Sequence, residues 1–288
     1  MEALPLAIAP LALVDERAEL RSELRTVGMV WERELIRFER TRTRILSSFV
    51  QPVLFLFVLG YGMSTLVPTV GGFDFKKFVF PGIVAMTVVT TAIFSAISIV
   101  WDREFGFLRE MLVAPVSRAA LVVGKCLGGA SIATVQGTIM LALAPLIGVH
   151  LTVATVFEVM GCELLMAVTL TAFGVAVASR IQRMEGFQVV MQLLLFPMLF
   201  LSGALFPLKG LPTWLTVITR INPLTYAVDP LRHFVFAVQA MTPAARAKFP
   251  VGVSLFGYTL PVGAEIGIVV ALAVAFLGLA LTGFGQTE

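Results

Sequence analysis

Residues 102–118 read DREFGFLREMLVAPVSR and form a charged island in the middle of an otherwise apolar chain. An uncharged run from Val79 to Trp101 precedes the island, and a second apolar run from Leu121 to Ile147 follows it. Ionised side chains are costly within hydrocarbon, so a membrane-spanning helix has to end before such a cluster. We therefore expect the island to lie in water and to connect two membrane spans.

The island itself has the pattern of a short amphipathic helix. Asp102 is suited to its N-cap, Glu104 favours its first turn, and Pro115 ends it. Its apolar residues recur at helical spacing, namely Phe105, Leu108, Met111 and Leu112. Two interpretations stay open: a docking helix that buries these four side chains against a cytoplasmic partner, or a solvated connecting loop.

The composition is that of an integral membrane protein. The 288 residues are 58% hydrophobic and 14% charged, whereas an ordinary soluble domain carries about 25% charged residues. The net charge is only +3, and the arginines of the N-terminal arm are nearly balanced by its acidic residues, so the charge does not favour nucleic-acid binding. Cys126 and Cys162 lie within apolar runs, so we expect small packing residues rather than a disulfide.

The N-terminal arm, Asp15 to Arg44, holds eight arginines and seven acidic residues. Its apolar residues step by three or four along the chain: Leu20, Leu24, Val27, Trp31, Leu35 and Phe38. A charged helix with one apolar stripe that leads into a span is typical of a helix lying in the membrane interface. A soluble coiled-coil arm fits less well, because the stripe is too short for several heptads.

Six apolar segments follow, and each is long enough to cross about 30 Å of hydrocarbon. They are predicted at about 45–67, 79–101, 121–147, 153–178, 187–206 and 262–284. The expected fold class is an all-α integral membrane protein with an N-terminal interfacial helix, the charged island between its second and third spans, and a re-entrant helical hairpin before the last span. Residues 1–44 form the tail and interfacial helix, and residues 45–288 form one six-helix domain.

The basic residues predict the orientation, since cytoplasmic loops carry an excess of Lys and Arg. Most arginines fall in the arm and in the segments after the second and fourth predicted spans. The stretch 207–261 carries five Lys and Arg residues, but it is near the length at which loop charge loses its influence. We expect both termini to be cytoplasmic.

The stretch Ser202 to Gln239 is mostly apolar but is interrupted by four prolines, Pro207, Pro212, Pro223 and Pro230. No uninterrupted piece of it is long enough to span a bilayer. Irregular backbone at membrane depth survives only where protein or a water-filled cavity covers it. We interpret this stretch as two short helices in a re-entrant or interfacial hairpin near the outer headgroups.

The motifs of catalysis and metal binding are absent from the sequence. It contains no phosphate-binding GxxxxGK[ST] loop, no HExxH and no CxxC, and its two histidines, His150 and His233, are far apart. We predict no enzyme activity, no metal site and no cofactor in this chain. Energy for any transport has to come from another chain or from an ion gradient.

Few polar residues lie within the predicted spans. Gln188 and Gln192 are one turn apart, so they share a helix face and could line a path or join two helices. Glu158 and Glu163 lie near the outer end of the fourth predicted span. Snorkelling or an interhelical hydrogen bond is as consistent with their position as a proton relay.

Three stretches resemble the membrane subunit of type-2 ABC exporters, the family that contains daunorubicin-resistance, nodulation-factor and polysaccharide exporters. They are REFGFLREMLVAPVSRAALVVGK (103–125), FPMLFLSGALFPLKGLPTWL (196–215) and INPLTYAVDPLRH (221–233). The first is similar to the cytoplasmic coupling segment of the family, although Phe105 and Phe107 stand around Gly106 where many relatives carry a second charged residue. The resemblance covers nearly the whole chain.

The resemblance implies a complex of two such permease subunits, identical or different, with two ABC ATPase subunits that bind ATP and Mg. The residues expected to couple to the ATPase are Glu104, Phe105, Leu108, Arg109, Glu110, Met111, Leu112 and Pro115. Those expected to line the pathway or the outer gate are Gln188, Gln192, Pro197, Ser202, Gly203, Asn222, Pro223, Tyr226, Asp229 and Arg232. Asp229 and Arg232 could also pair on one helix face.

The resemblance further implies ATP-driven export of an amphiphilic substrate, such as a drug, lipid, glycolipid or polysaccharide, across a bacterial plasma membrane. Two alternatives stay open. An ion-coupled transporter would have charges at the bilayer midplane and repeated halves, and neither is visible in the sequence. A non-transporting membrane assembly protein could use the same docking island without a pathway.

Overall fold

The computed structural model describes residues 16–67, 69–106, 117–208, 211–249, 251–255 and 258–285, and these are almost entirely helical. The expected all-α class is confirmed. The helices are α1 Glu16–Arg40, α2 Arg42–Leu66, α3 Phe75–Ser95, α4 Ile97–Glu104, α5 Arg118–Leu141, α6 Val153–Ala178, α7 Met184–Phe200, α8 Thr213–Ile221, α9 Pro223–Ala237, α10 Pro243–Lys248 and α11 Val262–Gly285. A two-residue hairpin pairs β1 Ser254–Leu255 with β2 Tyr258–Thr259.

Within the described residues, five helical segments are long and apolar enough to cross a membrane. They are Ile45–Leu66, Phe75–Glu104, Arg118–Leu141, Val153–Ala178 and Val262–Phe284. They coincide with five of the six predicted spans. The remaining prediction, 187–206, falls on α7, which is apolar but only 17 residues long and ends at Phe200.

Capping residues and a proline move two of the predicted boundaries. α3 begins before residue 79 because the Asp74 side chain caps it, accepting a hydrogen bond from the Lys77 N–H at 3.2 Å. The prediction of one helix from 121 to 147 is wrong at its end, since α5 stops at Leu141 and a short 3-10 helix, Ala144–Ile147, follows. Pro145 lies in that 3-10 helix, where its missing N–H prevents a continuous α-helical ladder.

The central element of the bundle is the continuous segment formed by α3 and α4. It packs against α2, α5 and α6, and nearly all side chains between Phe78 and Val89 are buried. α2 and α11 lie at the outside of the bundle, and few of their apolar side chains are fully buried. In a membrane protein such exposed apolar faces are suited to contact with lipid.

α1 lies along α5, and two glycines make this close approach possible. A Cβ atom at Gly124 would come within 2.7 Å of Val30 Cβ, and one at Gly128 within 2.7 Å of Glu34 Cβ. Such small residues let two helix backbones approach closely. The face of α1 that packs on α5 contains Val30 and Glu34, whereas much of the apolar stripe recognised in the sequence, including Leu24, remains exposed.

The stretch after α7 contains the two short helices that were expected, α8 and α9, separated at Asn222. α9 is largely buried and packs against α6 and α11. α8 is amphipathic and exposes Trp214 and Ile221. The two helices therefore differ in role: α9 belongs to the bundle, and α8 lies on its surface.

Candidate functional site

A cavity of about 680 Å³ lies between α1, α2, the α3–α4 segment, α5 and α7. Most of its lining side chains are polar, although the helices that carry them are apolar overall. Its polar lining residues include Gln51, Thr90, Thr91, Gln136, Gln188 and Gln192. The structure thus brings the sequence-predicted pair Gln188 and Gln192 to one cavity wall.

The amides in this cavity are of two kinds. Gln136 is fixed, because its Nε2 donates to Ser48 Oγ at 2.8 Å and its Oε1 accepts a hydrogen bond from the Thr91 hydroxyl. This side chain ties α5 to α2 and α3. Gln51, Gln188 and Gln192, in contrast, have no hydrogen-bond partner within the part of the chain that the structure describes. Their donors and acceptors are available to a molecule in the cavity.

A buried ion cluster lies next to the cavity on its α1 side, where Glu34 belongs to both. The Lys125 ammonium donates to Asp102 Oδ2 at 2.7 Å, to Glu34 Oε1 at 3.0 Å and to Ser98 Oγ at 3.1 Å. The side chains of Lys125, Asp102 and Glu34 are 3%, 4% and 9% exposed. Because these residues come from α5, α4 and α1, the cluster joins three helices.

Two arginines of α1 complete the cluster. Arg33 donates to Asp102 Oδ1 at 3.3 Å, while the nearest nitrogen of Arg37 is 3.9 Å from the same oxygen, too far for a hydrogen bond. The Arg37 guanidinium also lies 5.3 Å from the centre of the Trp101 ring. Among the described residues the cluster contains three cations and two carboxylates.

The expectation that Asp102 caps a new helix is wrong. Asp102 lies inside α4, which continues to Glu104, and its carboxylate is buried against Lys125. The sequence reasoning also missed the cluster as a site. A usable signal was present, because Lys125 falls within a predicted span and an ionisable residue there points to function or to a buried partner.

The last residues of α4 are anchored to the connection between α6 and α7. Arg103 donates to the carbonyls of Ala178, Ser179 and Ile181 at 2.8 to 3.2 Å. Glu104 Oε2 accepts the Met184 N–H at 3.1 Å, at the first residue of α7. These hydrogen bonds connect the end of α4 to the start of α7, four residues before Gln188.

Of the predicted coupling residues, the structure places Glu104 and Phe105 at this end of α4. Phe105 is 58% exposed, and its ring packs on Trp101 with 5.3 Å between the ring centres. The other six lie outside the described residues: Leu108, Arg109, Glu110, Met111, Leu112 and Pro115. The anchored end of α4 thus leads directly into the segment that contains them.

Several residues predicted for the outer gate converge on the turn that follows α7. Asn222 caps α9 by accepting the Leu224 N–H, and its Nδ2 reaches back to the Met198 carbonyl at 2.7 Å. The Tyr226 hydroxyl donates to the Arg220 carbonyl at 2.6 Å. Pro223 is the first residue of α9, and Pro197 lies near the end of α7.

Arg232 stabilises the same turn through hydrogen bonds. Its guanidinium donates to the carbonyls of Gly203 and Ala204 and lies 4.3 Å from the centre of the Phe78 ring. Ser202 stabilises the turn through its hydroxyl, which accepts the Ala204 N–H at 3.2 Å. The turn passes through Gly203 with a φ of +78°, a region that glycine adopts without strain.

Asp229 and Arg232 have different hydrogen-bond partners. Its Oδ1 accepts the Gly252 N–H at 3.2 Å, which ties α9 to the loop before β1. Burial raises the pKa of Asp229 above its usual range, and burial lowers the pKa of Arg232 to about 10. Arg232 therefore remains a cation at neutral pH, with backbone carbonyls as its hydrogen-bond acceptors.

The two acidic residues of α6 have different surroundings. Glu163 is fully buried, and its Oε2 accepts a hydrogen bond from Thr138 of α5 at 3.3 Å, one of the alternatives expected from the sequence. A Cβ atom at Gly137 would come within 2.9 Å of this carboxylate. Glu158 is exposed. Cys126 and Cys162 are both free and buried, as expected.

The apolar helices define a multi-pass membrane protein. A family model described as "ABC-2 type transporter" matches residues 25–236, and the chain belongs to this family. The range of the match includes the ion cluster, the cavity, α4 and nearly all of α9. The resemblance seen in the sequence is thereby confirmed.

Named relatives agree with the family assignment. The chain is 28% identical to "Putative transport permease ycf38" of Cyanophora paradoxa over 70% of this chain and 71% of the relative. It is 29% identical to "Nodulation protein J" of Rhizobium leguminosarum bv. viciae over 70% and 79%, respectively. "Probable multidrug ABC transporter permease YbhR" of Escherichia coli (strain K12) is 29% identical over 54% of this chain and 43% of the relative.

Proposed function

We propose that this chain is the transmembrane subunit of an ATP-driven exporter that moves an amphiphilic substrate out of the cytoplasm or the inner leaflet. Two permease subunits, identical or related, would assemble with two ABC ATPase subunits that supply ATP and Mg. The observation that carries the proposal is a cavity with mostly polar lining residues between apolar helices, next to the buried ion cluster that includes Glu34. If lipid tails merely filled a gap between the helices, the amides in the cavity would lack hydrogen-bond partners, which costs free energy.

In the proposed topology α7 is a short fifth span, and α11 is the last of six. α1 lies in the inner interface with its exposed apolar stripe toward lipid, and α8 and α9 form the hairpin at the outer face. Both termini are cytoplasmic in a bacterial plasma membrane. The arginine-rich arm supports this orientation, because basic residues favour the cytoplasmic side.

The contacts around α4 suggest how ATP-driven closure of the ATPase subunits would reach the cavity. A push on the coupling segment would move the end of α4, where Asp102 shares Lys125 with Glu34 of α1. Through Arg103 and Glu104 the same push would reach the start of α7, whose Gln188 and Gln192 line the cavity. The turn held by Arg232 at the other end of α7 would then act as the outer gate.

Reconstitution of the permease with its ATPase in proteoliposomes tests the proposal. We expect ATPase activity that depends on this chain and movement of an amphiphile that requires ATP. Movement that follows an ion gradient without ATP would favour an ion-coupled transporter. A stable complex whose ATP hydrolysis moves no amphiphile would favour a membrane assembly protein.

The orientation gives a first prediction. With Cys126 and Cys162 replaced by Ala, Arg246→Cys should react with an impermeant maleimide in intact cells, because Arg246 is exposed in the proposed outer loop. Arg180→Cys, exposed between α6 and α7, should react only after permeabilisation. The opposite pattern of labelling would contradict cytoplasmic termini and would place the coupling segment outside the cell.

The coupling segment gives a second prediction. Leu108→Asp and Leu112→Asp should each abolish co-purification of the ATPase, because a charge placed in a docking groove costs several kcal/mol. Leu108→Met should retain the complex, since it keeps an apolar side chain of similar volume. Insertion is checked by membrane fractionation. Normal ATPase recovery with both Asp variants would show that the segment is a solvated loop.

A further inference from the structure

We propose that the cavity between α1, α2, α3–α4, α5 and α7 binds the head of an anionic amphiphile, with its acidic group at Arg37. This assigns a substrate class to the site and rests on the proposed export function. The ligand is defined by its chemistry: one phosphate or carboxylate, neighbouring hydroxyl or amide groups, and an apolar tail. Three features of the cavity lead to this class.

The first feature is the unequal state of the two charged side chains in the lining, Glu34 and Arg37. Glu34 is 8% exposed, and Lys125 already occupies its Oε1 at 3.0 Å. Lys125 therefore already compensates the charge of this carboxylate, which weakens its attraction for a cationic ligand. Arg37 has 36% of its side chain exposed and makes no hydrogen bond to Asp102, so an acidic group can reach it without breaking one.

The charge balance of the ion cluster also favours a negatively charged ligand. Asp102 and Glu34 face three cations within the described residues, and Lys125 and Arg33 make the hydrogen bonds to the two carboxylates. Arg37 is left with a distant ion pair at 3.9 Å and the Trp101 ring. An acidic ligand at Arg37 would balance the cluster, and a guanidinium is well suited to two parallel hydrogen bonds with phosphate or carboxylate.

The second feature is the set of three amides without partners within the described chain. Gln51 approaches from α2, and Gln188 and Gln192 approach from α7, one helical turn apart. All three side chains are exposed, so their donors and acceptors can be reached by a ligand. A ligand head that carries hydroxyl or amide groups would satisfy them, whereas a purely apolar ligand would leave them unpaired.

The third feature is the size and position of the cavity. Its volume of about 680 Å³ suits a small molecule or a lipid head rather than a whole lipid. Leu195 and Phe196 of α7 are among its apolar lining residues, and α7 exposes Val189 and Leu193 on its surface. A tail can therefore leave the cavity along α7 toward the hydrocarbon while the head remains at Arg37.

Binding of a matched set of dodecyl probes tests the proposal. The permease–ATPase complex, in phosphatidylcholine nanodiscs, is titrated with dodecyl phosphate, dodecyl glucoside and dodecyltrimethylammonium. Dodecyl phosphate is expected to bind most tightly, and Arg37→Gln should weaken it about tenfold, which corresponds to about 1.4 kcal/mol. Arg37→Lys should retain most of the affinity. Arg40→Gln is the matched control, because Arg40 is exposed on α1 and is not part of the cavity lining.

A second variant makes the test independent of the ion cluster. Gln192→Leu removes one unpartnered amide from α7 without touching the cluster, and it should weaken binding of dodecyl glucoside while the thermal stability of the complex is retained. Inorganic phosphate is titrated separately. It is expected to bind much more weakly than dodecyl phosphate, because it lacks the apolar tail.

Two results would overturn the proposal: tighter or equal binding of dodecyltrimethylammonium, or unchanged affinity for dodecyl phosphate in a folded Arg37→Gln complex. The export function is judged separately, from ATPase activity that depends on the permease and from ATP-driven movement of any amphiphile. A cation-preferring complex that still transports would refute only the anionic class. A complex that binds dodecyl phosphate at Arg37 but moves no amphiphile would refute only the export function.

Discussion

Replacement of Lys125 by Met is expected to destabilise the protein more than any other single change in the ion cluster. The substitution leaves the carboxylates of Asp102 and Glu34 buried without the ammonium that contacts both. Removing one partner of a buried ion pair costs roughly 3–5 kcal/mol, because the other charge remains unsatisfied. Since the cluster joins α1, α4 and α5, we expect loss of ATPase coupling as well as loss of stability.

The free cysteines provide the measurement. Cys126 and Cys162 are buried, so a thiol-reactive fluorophore reports on unfolding as the temperature rises. The Lys125→Met protein should react at a much lower temperature than the wild type. Adding Asp102→Asn to Lys125→Met should recover part of the loss, because the double variant leaves one buried carboxylate fewer.

Lys76→Met is the matched control for this prediction. Lys76 also forms an ion pair, with Asp74 at 3.3 Å, but the two side chains are 21% and 19% exposed. Water reaches this pair more readily than it reaches Lys125 and Asp102, so we expect a smaller loss of stability than for Lys125→Met. If Lys76→Met lowered the temperature of thiol reaction as much as Lys125→Met does, burial of the ion pair would not determine the loss of stability. The ion cluster would then not be a special source of stability.

The helices could be predicted from the sequence because long apolar runs separated by charged residues are strong local signals. Five predicted spans coincide with helices of sufficient length, and the pair of short helices around Asn222 was expected from the prolines. The boundary errors arose where capping or a proline acts over two or three residues, as at Asp74 and Pro145. Such effects depend on a side-chain hydrogen bond at Asp74 and on a missing backbone N–H at Pro145, and hydropathy reports neither.

The ion cluster could not be assembled from the sequence. Glu34 is one of seven acidic residues in the arm, and nothing local distinguishes it from its neighbours. It becomes special only because Gly124 and Gly128 let α1 approach α5, which places its carboxylate beside Lys125. Gln188 and Gln192 were easier to find, since two amides one turn apart in an apolar helix are visible without any knowledge of packing.

Gly82→Ala is expected to have the second large effect, at the opposite end of the central helix. A Cβ atom at Gly82 of α3 would lie 1.7 Å from the Ala204 carbonyl oxygen, and a backbone atom cannot move aside as a flexible side chain can. The turn after α7 would have to shift, and its hydrogen bond from Arg232 to Ala204 would be strained. Overpacking of this kind costs roughly 1–3 kcal/mol or more.

Gly62→Ala separates this steric effect from the general effect of adding a methyl group to a helix. Gly62 lies within α2, and a Cβ atom there would meet nothing within 4 Å. Alanine at such a helical position is expected to be neutral or to stabilise by up to about 1 kcal/mol. The buried thiols should therefore become reactive at a lower temperature than in the wild type for Gly82→Ala only.

Transport measurements on the same pair address the proposed gate. If the turn at 201–206 has to move during export, Gly82→Ala should reduce ATP-driven efflux severely even at temperatures where the protein stays folded and its ATPase stays bound. A bistable element of this kind is sensitive to small changes in packing, because its two arrangements differ by only a few kcal/mol. Efflux at the wild-type rate from folded Gly82→Ala protein would show that the contact between Gly82 and Ala204 is not part of the gate, and the opening would then have to occur between the spans themselves.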